Sequence, residues 1–127
     1  MQILGIDYGK RKIGLALADG PLAEPYKVIR FKNEEEAIRR VEQVVRLERV
    51  EHVVIGISEG KMSRETREFG NKLQDELTIP VEYQDETLTT YEAQDLSIKA
   101  GINRKKRKAL EDAYSAALIL QNYLDQM

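Results

Sequence analysis

The sequence predicts an α/β fold: one mixed five-stranded sheet with helices on both faces, three layers in all. Three observations lead there. Two apolar stretches, Ile3–Ile6 and Ile13–Leu17, flank a short Gly-containing turn and read as a β-hairpin. The middle of the chain alternates strand-length apolar runs with segments of helical period. The resulting order, β-β-β-α-β-α-β-α-α, needs right-handed crossovers that leave the first strand at the centre of the sheet.

Each element has its own signal. The first strand, Ile3-Leu4-Gly5-Ile6, ends in Asp7 and Gly9, and Lys10, Arg11 and Lys12 make the turn. Ile13, Leu15 and Leu17 resume with a period of two. Pro21 and Pro25 bracket an expected loop, and Tyr26–Phe31 reads as a third strand. Asn33 is an expected N-cap, with Glu34, Glu35 and Glu36 suited to a first helical turn. Ala37, Ile38, Val41, Val44 and Val45 carry that helix to about Arg49. His52–Ile57 is continuously apolar after its His, as a strand covered on both faces should be. A helix opens at Ser63 and stops at Ile79-Pro80. Val81–Gln84 forms the fifth strand, with Asp85-Glu86 at its end. Thr89 or Thr90 caps a short helix closed by Gly101, and a final helix runs from about Lys108 to Asp125.

Composition narrows the function classes. A chain of 127 residues, 42% apolar and 33% charged, is expected to form one domain with a real core. No apolar run approaches the ~18 residues of a membrane span. Met1 leads directly into the first strand, so a cytoplasmic location is expected. Absence of Cys excludes disulfides and thiolate metal sites, and a single His makes zinc an unsuitable cofactor. His52 opens a buried strand and reads as structural. The net charge of −2 argues against unspecific coating of nucleic acid. Basic residues are clustered nonetheless: positions 10–12 and 104–108 hold eight of the twenty.

Three acids are candidates for chemistry. Active sites of such sheets gather at the carboxyl ends of the strands, where Asp7 and the Asp85-Glu86 pair lie. The alternative for Asp7 is a turn cap. On the last helix, at ~100° per residue, Asp112 falls in the sector of Ala113, Ala116, Ala117 and Leu120, which must face the sheet. Its alternative is a surface acid that favours the helix dipole. Acids converging on one rim repel unless a hard cation such as Mg²⁺ or Mn²⁺ joins them through oxygen. The run Arg104, Lys105, Lys106, Arg107, Lys108 is unfavourable at a helix N-terminus. It reads either as a solvated loop or as a contact to a phosphate backbone, to which Lys10, Arg11 and Lys12 would add. The stretch Gly56–Met62 imitates a P-loop, but has three residues between its glycines instead of four and Met62 in place of the hydroxyl.

Together these motifs resemble the YqgF/RuvX family of pre-16S rRNA nucleases and Holliday junction resolvases. The resemblance covers nearly the whole chain. It rests on Ile6-Asp7-Tyr8-Gly9 with Arg11–Ala16, on Val53–Gly56, on Asp85–Thr90 with Glu92-Ala93, and on Gly101–Lys108 with Asp112 and Ala116–Gln121. It implies an RNase H-like fold and metal-dependent phosphodiester hydrolysis, with Asp7, the acid of the Asp85-Glu86 pair, and Asp112 as catalytic residues and ligands of Mg²⁺ or Mn²⁺. The strand pleat turns only one of Asp85 and Glu86 inward, and Glu86 is the expected one. Two departures stand out. Thr87 takes the place of the family's usual Arg, and the loop at Ile57–Gly60 is shorter than usual. The expected partner is nucleic acid, either structured rRNA precursor or branched DNA, together with ribosomal particles. The expected state is a monomer or weak homodimer with no membrane attachment. Two other readings stand beside this one: a nucleic-acid-binding module of the same fold without catalysis, which Thr87 favours, and an assembly factor acting on the ribosome through protein contacts.

Overall fold

A computed structural model describes residues 1–57, 63–85 and 110–127. The described elements are β1 (Ile3–Tyr8), β2 (Lys12–Ala18), β3 (Ala23–Arg30), α1 (Glu34–Leu47), β4 (His52–Ile57), α2 (Ser63–Glu76), β5 (Val81–Asp85) and α3 (Glu111–Asp125). The short helix expected after Thr89 lies outside the described residues.

The strands form one sheet in the order β3-β2-β1-β4-β5. β1 runs antiparallel to β2 and parallel to β4, and β5 is parallel to β4. The expected mixed sheet with a central first strand is therefore present. Alternation along β1 divides its side chains between two layers. Leu4 and Ile6 enter a core with Ile13, Leu15, Val53 and Ile55, closed by Val41 of α1 and by Phe69 and Leu73 of α2. Ile3 faces the other way, with Ala16, Ala18 and Val54, and meets Ala116, Ile119 and Leu120 of α3.

Local rules explain the boundaries. The Asn33 side chain accepts from the Glu36 amide at 2.9 Å, and Glu34, Glu35 and Glu36 occupy the first turn of α1, as expected. A Lys72–Glu34 ion pair joins α2 to α1. The third strand corrects the expectation. It starts at Ala23 and passes through Pro25, which lies outside the span read from sequence. β3 is an edge strand, and Pro25 sits at a register shift opposite Ala16, where a missing amide costs no ladder bond. The glutamine of α3, Gln121, secures that entry: its Oε1 accepts from the Ala23 amide and its Nε2 donates to the Pro21 carbonyl.

α3 lies unusually close to the sheet. A Cβ built on Gly14 would come within 1.9 Å of the Asp112 carbonyl oxygen, and one on Gly5 within 2.8 Å of Leu120 Cβ. Glycine at these two positions lets the helix backbone rest on the strands. The contact with Gly14 fixes the first turn of α3 over the end of the central strands.

Candidate active site

The site starts from β1 register. Asp7 is the cross-strand partner of Gly14, and Gly14 bears the Asp112 backbone. Asp7 shares the face of Ile3 and Gly5 by alternation, which is the α3 face. Asp112, in the first turn of α3, is brought to the same rim. Both acids line one open cleft of about 450 Å³, together with Tyr8–Lys12 and Arg30. Asp112 thus lies in the sheet-facing sector that its helical position predicts, and Glu111 and Asp112 together favour the positive end of the helix.

The turn that carries the basic residues is held firmly. The Gly9 amide donates to the Lys12 carbonyl at 3.0 Å, and the Phe31 amide donates to the Arg11 carbonyl at 3.0 Å. Tyr8 points into the opposite layer, where its ring stacks on Phe69 at 4.4 Å between centroids. Burial, aided by Glu34, Glu65 and Glu68, pushes its phenol upward, so it stays protonated at neutral pH. Lys10, Arg11 and Lys12 line the acidic cleft as a group, and Lys12 Nζ lies 3.0 Å from Asp112 Oδ2. That ion pair was not visible in the sequence, which assigned Lys12 to phosphate alone.

Arg30 is the residue that sequence reading missed. It is the cross-strand partner of Lys12 and lines the same cleft. Its only sequence signal is a basic residue near the end of a predicted strand. Glu86 and the run Arg104, Lys105, Lys106, Arg107, Lys108 lie outside the described residues. Asp85 is described: it ends β5 opposite Ile57, on the face of Val81 and Tyr83 and so away from α3.

The donor set suits a hard cation in kind. Asp7 and Asp112 offer carboxylate oxygens at one rim, and no thiolate or imidazole lines the cleft. Among the described residues no three acids or histidines gather tightly enough to hold a metal by themselves. Asp7 and Asp112 are the two carboxylates that the described residues bring to the cleft, and the expected third, Glu86, lies outside them.

His52 has a separate role. Its Nε2 lies 3.0 Å from Glu82 Oε2 and 3.2 Å from the Tyr123 hydroxyl, which donates to Glu82 at 2.6 Å. This cluster joins the starts of β4 and β5 to the end of α3, far along the sheet from Asp7. It agrees with the structural reading of His52.

The same fold occurs in solved resolvases. A Thermus thermophilus RuvC in complex with a Holliday junction substrate matches with a TM-score of 0.67 at 18% identity, covering 99% of this chain and 96% of that one. The Fowlpox virus resolvase with its junction DNA matches with a TM-score of 0.69 at 12% identity, covering 99% and 98%. These likenesses give the chain the RNase H-like fold of the resolvases. The model of the RuvX family, described as Holliday junction resolvase, matches residues 1–126. The chain belongs to the RuvX family, and with it to the hydrolases. Its relatives include proteins named "Putative pre-16S rRNA nuclease". The one from Halothermothrix orenii is 38% identical over 98% of this chain and 95% of its own length. That from Lactococcus lactis subsp. cremoris is 37% identical over 98% and 94%.

Proposed function

We propose that this protein is a metal-dependent endonuclease that hydrolyses phosphodiester bonds in pre-16S rRNA at its 5′ end, during ribosome biogenesis. The observation that carries the reading is the joint presence of Asp7, Asp112 and the basic turn Lys10–Lys12 in one cleft. Asp7 and Asp112 hold Mg²⁺ or Mn²⁺, with Glu86 as the third carboxylate. Asp85 faces the other layer, which favours Glu86 of the pair. When bound, the divalent ion stabilises the charge that builds on the phosphate oxygens. The chain's own residues do the rest. Asp7 and Asp112 would hold the ion near the end of β1, and α3 closes one wall of the cleft. Lys10, Arg11 and Lys12 offset the repulsion between the acids and an anionic substrate. Arg104, Lys105, Lys106, Arg107 and Lys108 extend the phosphate-binding surface.

The whole chain, residues 1–127, acts as one RNase H-like nuclease domain, a monomer or weak homodimer, in the cytoplasm and in contact with ribosomal particles. Among the described residues no helix is long and apolar enough to cross a membrane. A second reading, cleavage of Holliday junctions, is favoured by the family description and by the junction complexes of the same fold.

The deciding experiment is cleavage of a pre-16S rRNA fragment and of four-way DNA in Mg²⁺ or Mn²⁺. The wild type should cut the RNA, and Asp7→Asn should abolish cutting while leaving the circular dichroism spectrum unchanged. Zn²⁺ should not replace Mg²⁺. Full activity of Asp7→Asn, or in excess EDTA, overturns the mechanism. Preference for the four-way junction selects the second reading.

A further inference from the structure

Among the cations that line the cleft, Lys12 and Arg30 differ in their state. Lys12 is engaged with Asp112 at 3.0 Å. Arg30, directly across the β2–β3 ladder from it, is exposed and takes part in no ion pair among the described residues. Residues opposite each other in such a ladder have Cβ atoms roughly 5 Å apart, so the two side chains stand side by side on the α3 face. The backbone under Arg30 is fixed from two directions. Its carbonyl accepts from Arg40 Nη1 of α1 at 2.7 Å, and the next amide, of Phe31, donates to Arg11 in the basic turn. Phe31 itself is anchored in the core beside Tyr8. A guanidinium on so firm a base, in the same cleft as Asp7 and Asp112 and paired with neither in the described ion pairs, is free to meet an anion that enters the cleft. Its planar fork matches two oxygens of a phosphate.

We propose that Arg30 is a substrate-binding residue, which grips a backbone phosphate of the nucleic acid at the β3 side of the Asp7–Asp112 cleft. The inference rests on the nuclease reading above and adds a residue and a direction to it: the bound strand passes over the β3 edge of the cleft. Lys12, held by Asp112, positions that carboxylate. Arg30 supplies the charge that meets the strand.

The test measures binding of a single-stranded RNA oligonucleotide in EDTA, so that no cleavage interferes, from ~50 to ~200 mM salt. Arg30→Gln should bind roughly tenfold more weakly. The magnitude of its log–log salt slope should fall by about 0.7, the value for one phosphate contact to a single strand. Arg30→Lys should keep the slope and lose part of the affinity, because it keeps the charge without the fork. Arg39→Gln, on the exposed side of α1 and with the same change in net charge, should leave both unchanged. A thermal melt of each variant checks the fold, and Arg30→Lys keeps the test valid if Arg30→Gln unfolds. An unchanged slope in Arg30→Gln, or an equal loss in Arg39→Gln, overturns the assignment while leaving the nuclease reading intact. A wild type that neither binds nor cleaves overturns both.

Discussion

At the scale of single residues, Ser115 is the informative exception. It lies one turn beyond Asp112, 1% exposed, and its Oγ has no hydrogen-bond partner among the described residues. A buried hydroxyl without a partner costs about 1–3 kcal/mol, whereas an apolar replacement of similar shape costs little. Alanine is also the better helix former. Ser115→Ala should therefore match the wild type in urea denaturation or exceed it by about 1 kcal/mol. A loss of that size would show that the hydroxyl has a hydrogen-bond partner in solution. Residue identities were the most legible part of the site. Asp7 and Asp112 stood out because a carboxylate at a strand end, or in an apolar helical sector, contradicts its surroundings. Lys12 and Arg30 carried no such contradiction. A lysine in a turn and an arginine near a strand end are ordinary, and only the ladder register and α3 bring them to the acids.

At the scale of elements, the seat of α3 decides whether the acids meet. The helix backbone rests on Gly14, and a methyl group there would overlap the Asp112 carbonyl at 1.9 Å. Backbone cannot turn aside as a side chain can, so the helix must lift from the sheet. Overpacking commonly costs about 1–3 kcal/mol, and a clash with backbone belongs at the upper end or beyond. Gly14→Ala should lower stability by about 3 kcal/mol in urea and depress cleavage at least as strongly as it depresses the folded fraction. A variant with wild-type stability and rate would mean that α3 does not hold Asp112 in place through this contact. The helix and the hairpin could both be read from sequence, because each follows a local period. Their close approach could not, since it depends on residues nearly a hundred positions apart. Pro25 hid the start of β3 for a related reason: a proline argues against a strand until the strand is known to be an edge.

For the whole molecule, the cluster of His52, Glu82 and Tyr123 ties three elements together and sets a pH response. The hydrogen bond to Glu82, then burial, pushes the Tyr123 phenol from 10.0 up to about 12. A group whose folded value is raised holds its proton more tightly when folded. Its contribution is complete below pH 10 and is lost as pH rises toward about 12. The same hydroxyl, with His52, holds Glu82 below its ordinary 4.5, so that contribution is present above 4.5 and fades as pH falls through the lowered value. Glu82 is half exposed, and solvent screening limits the bond to about 1 kcal/mol. Tyr123→Phe should cost about that much at neutral pH and flatten the decline in stability between pH 10 and about 12. An identical alkaline profile for wild type and variant would show that the bond does not form in solution.

The placement of α3 on β1 and β2 has a further consequence, in time. Asp7 emerges early in synthesis and Asp112 late, and the cleft they share forms only when both are in place. Until α3 docks, Ile3, Ala16, Ala18 and Val54 have no cover, and contacts that distant in sequence form slowly. On the proposed function, a nascent chain would therefore carry only half of its cutting centre. On the mechanism proposed above, the ability to cut arrives only with α3, so the order of translation would withhold the activity until folding is finished.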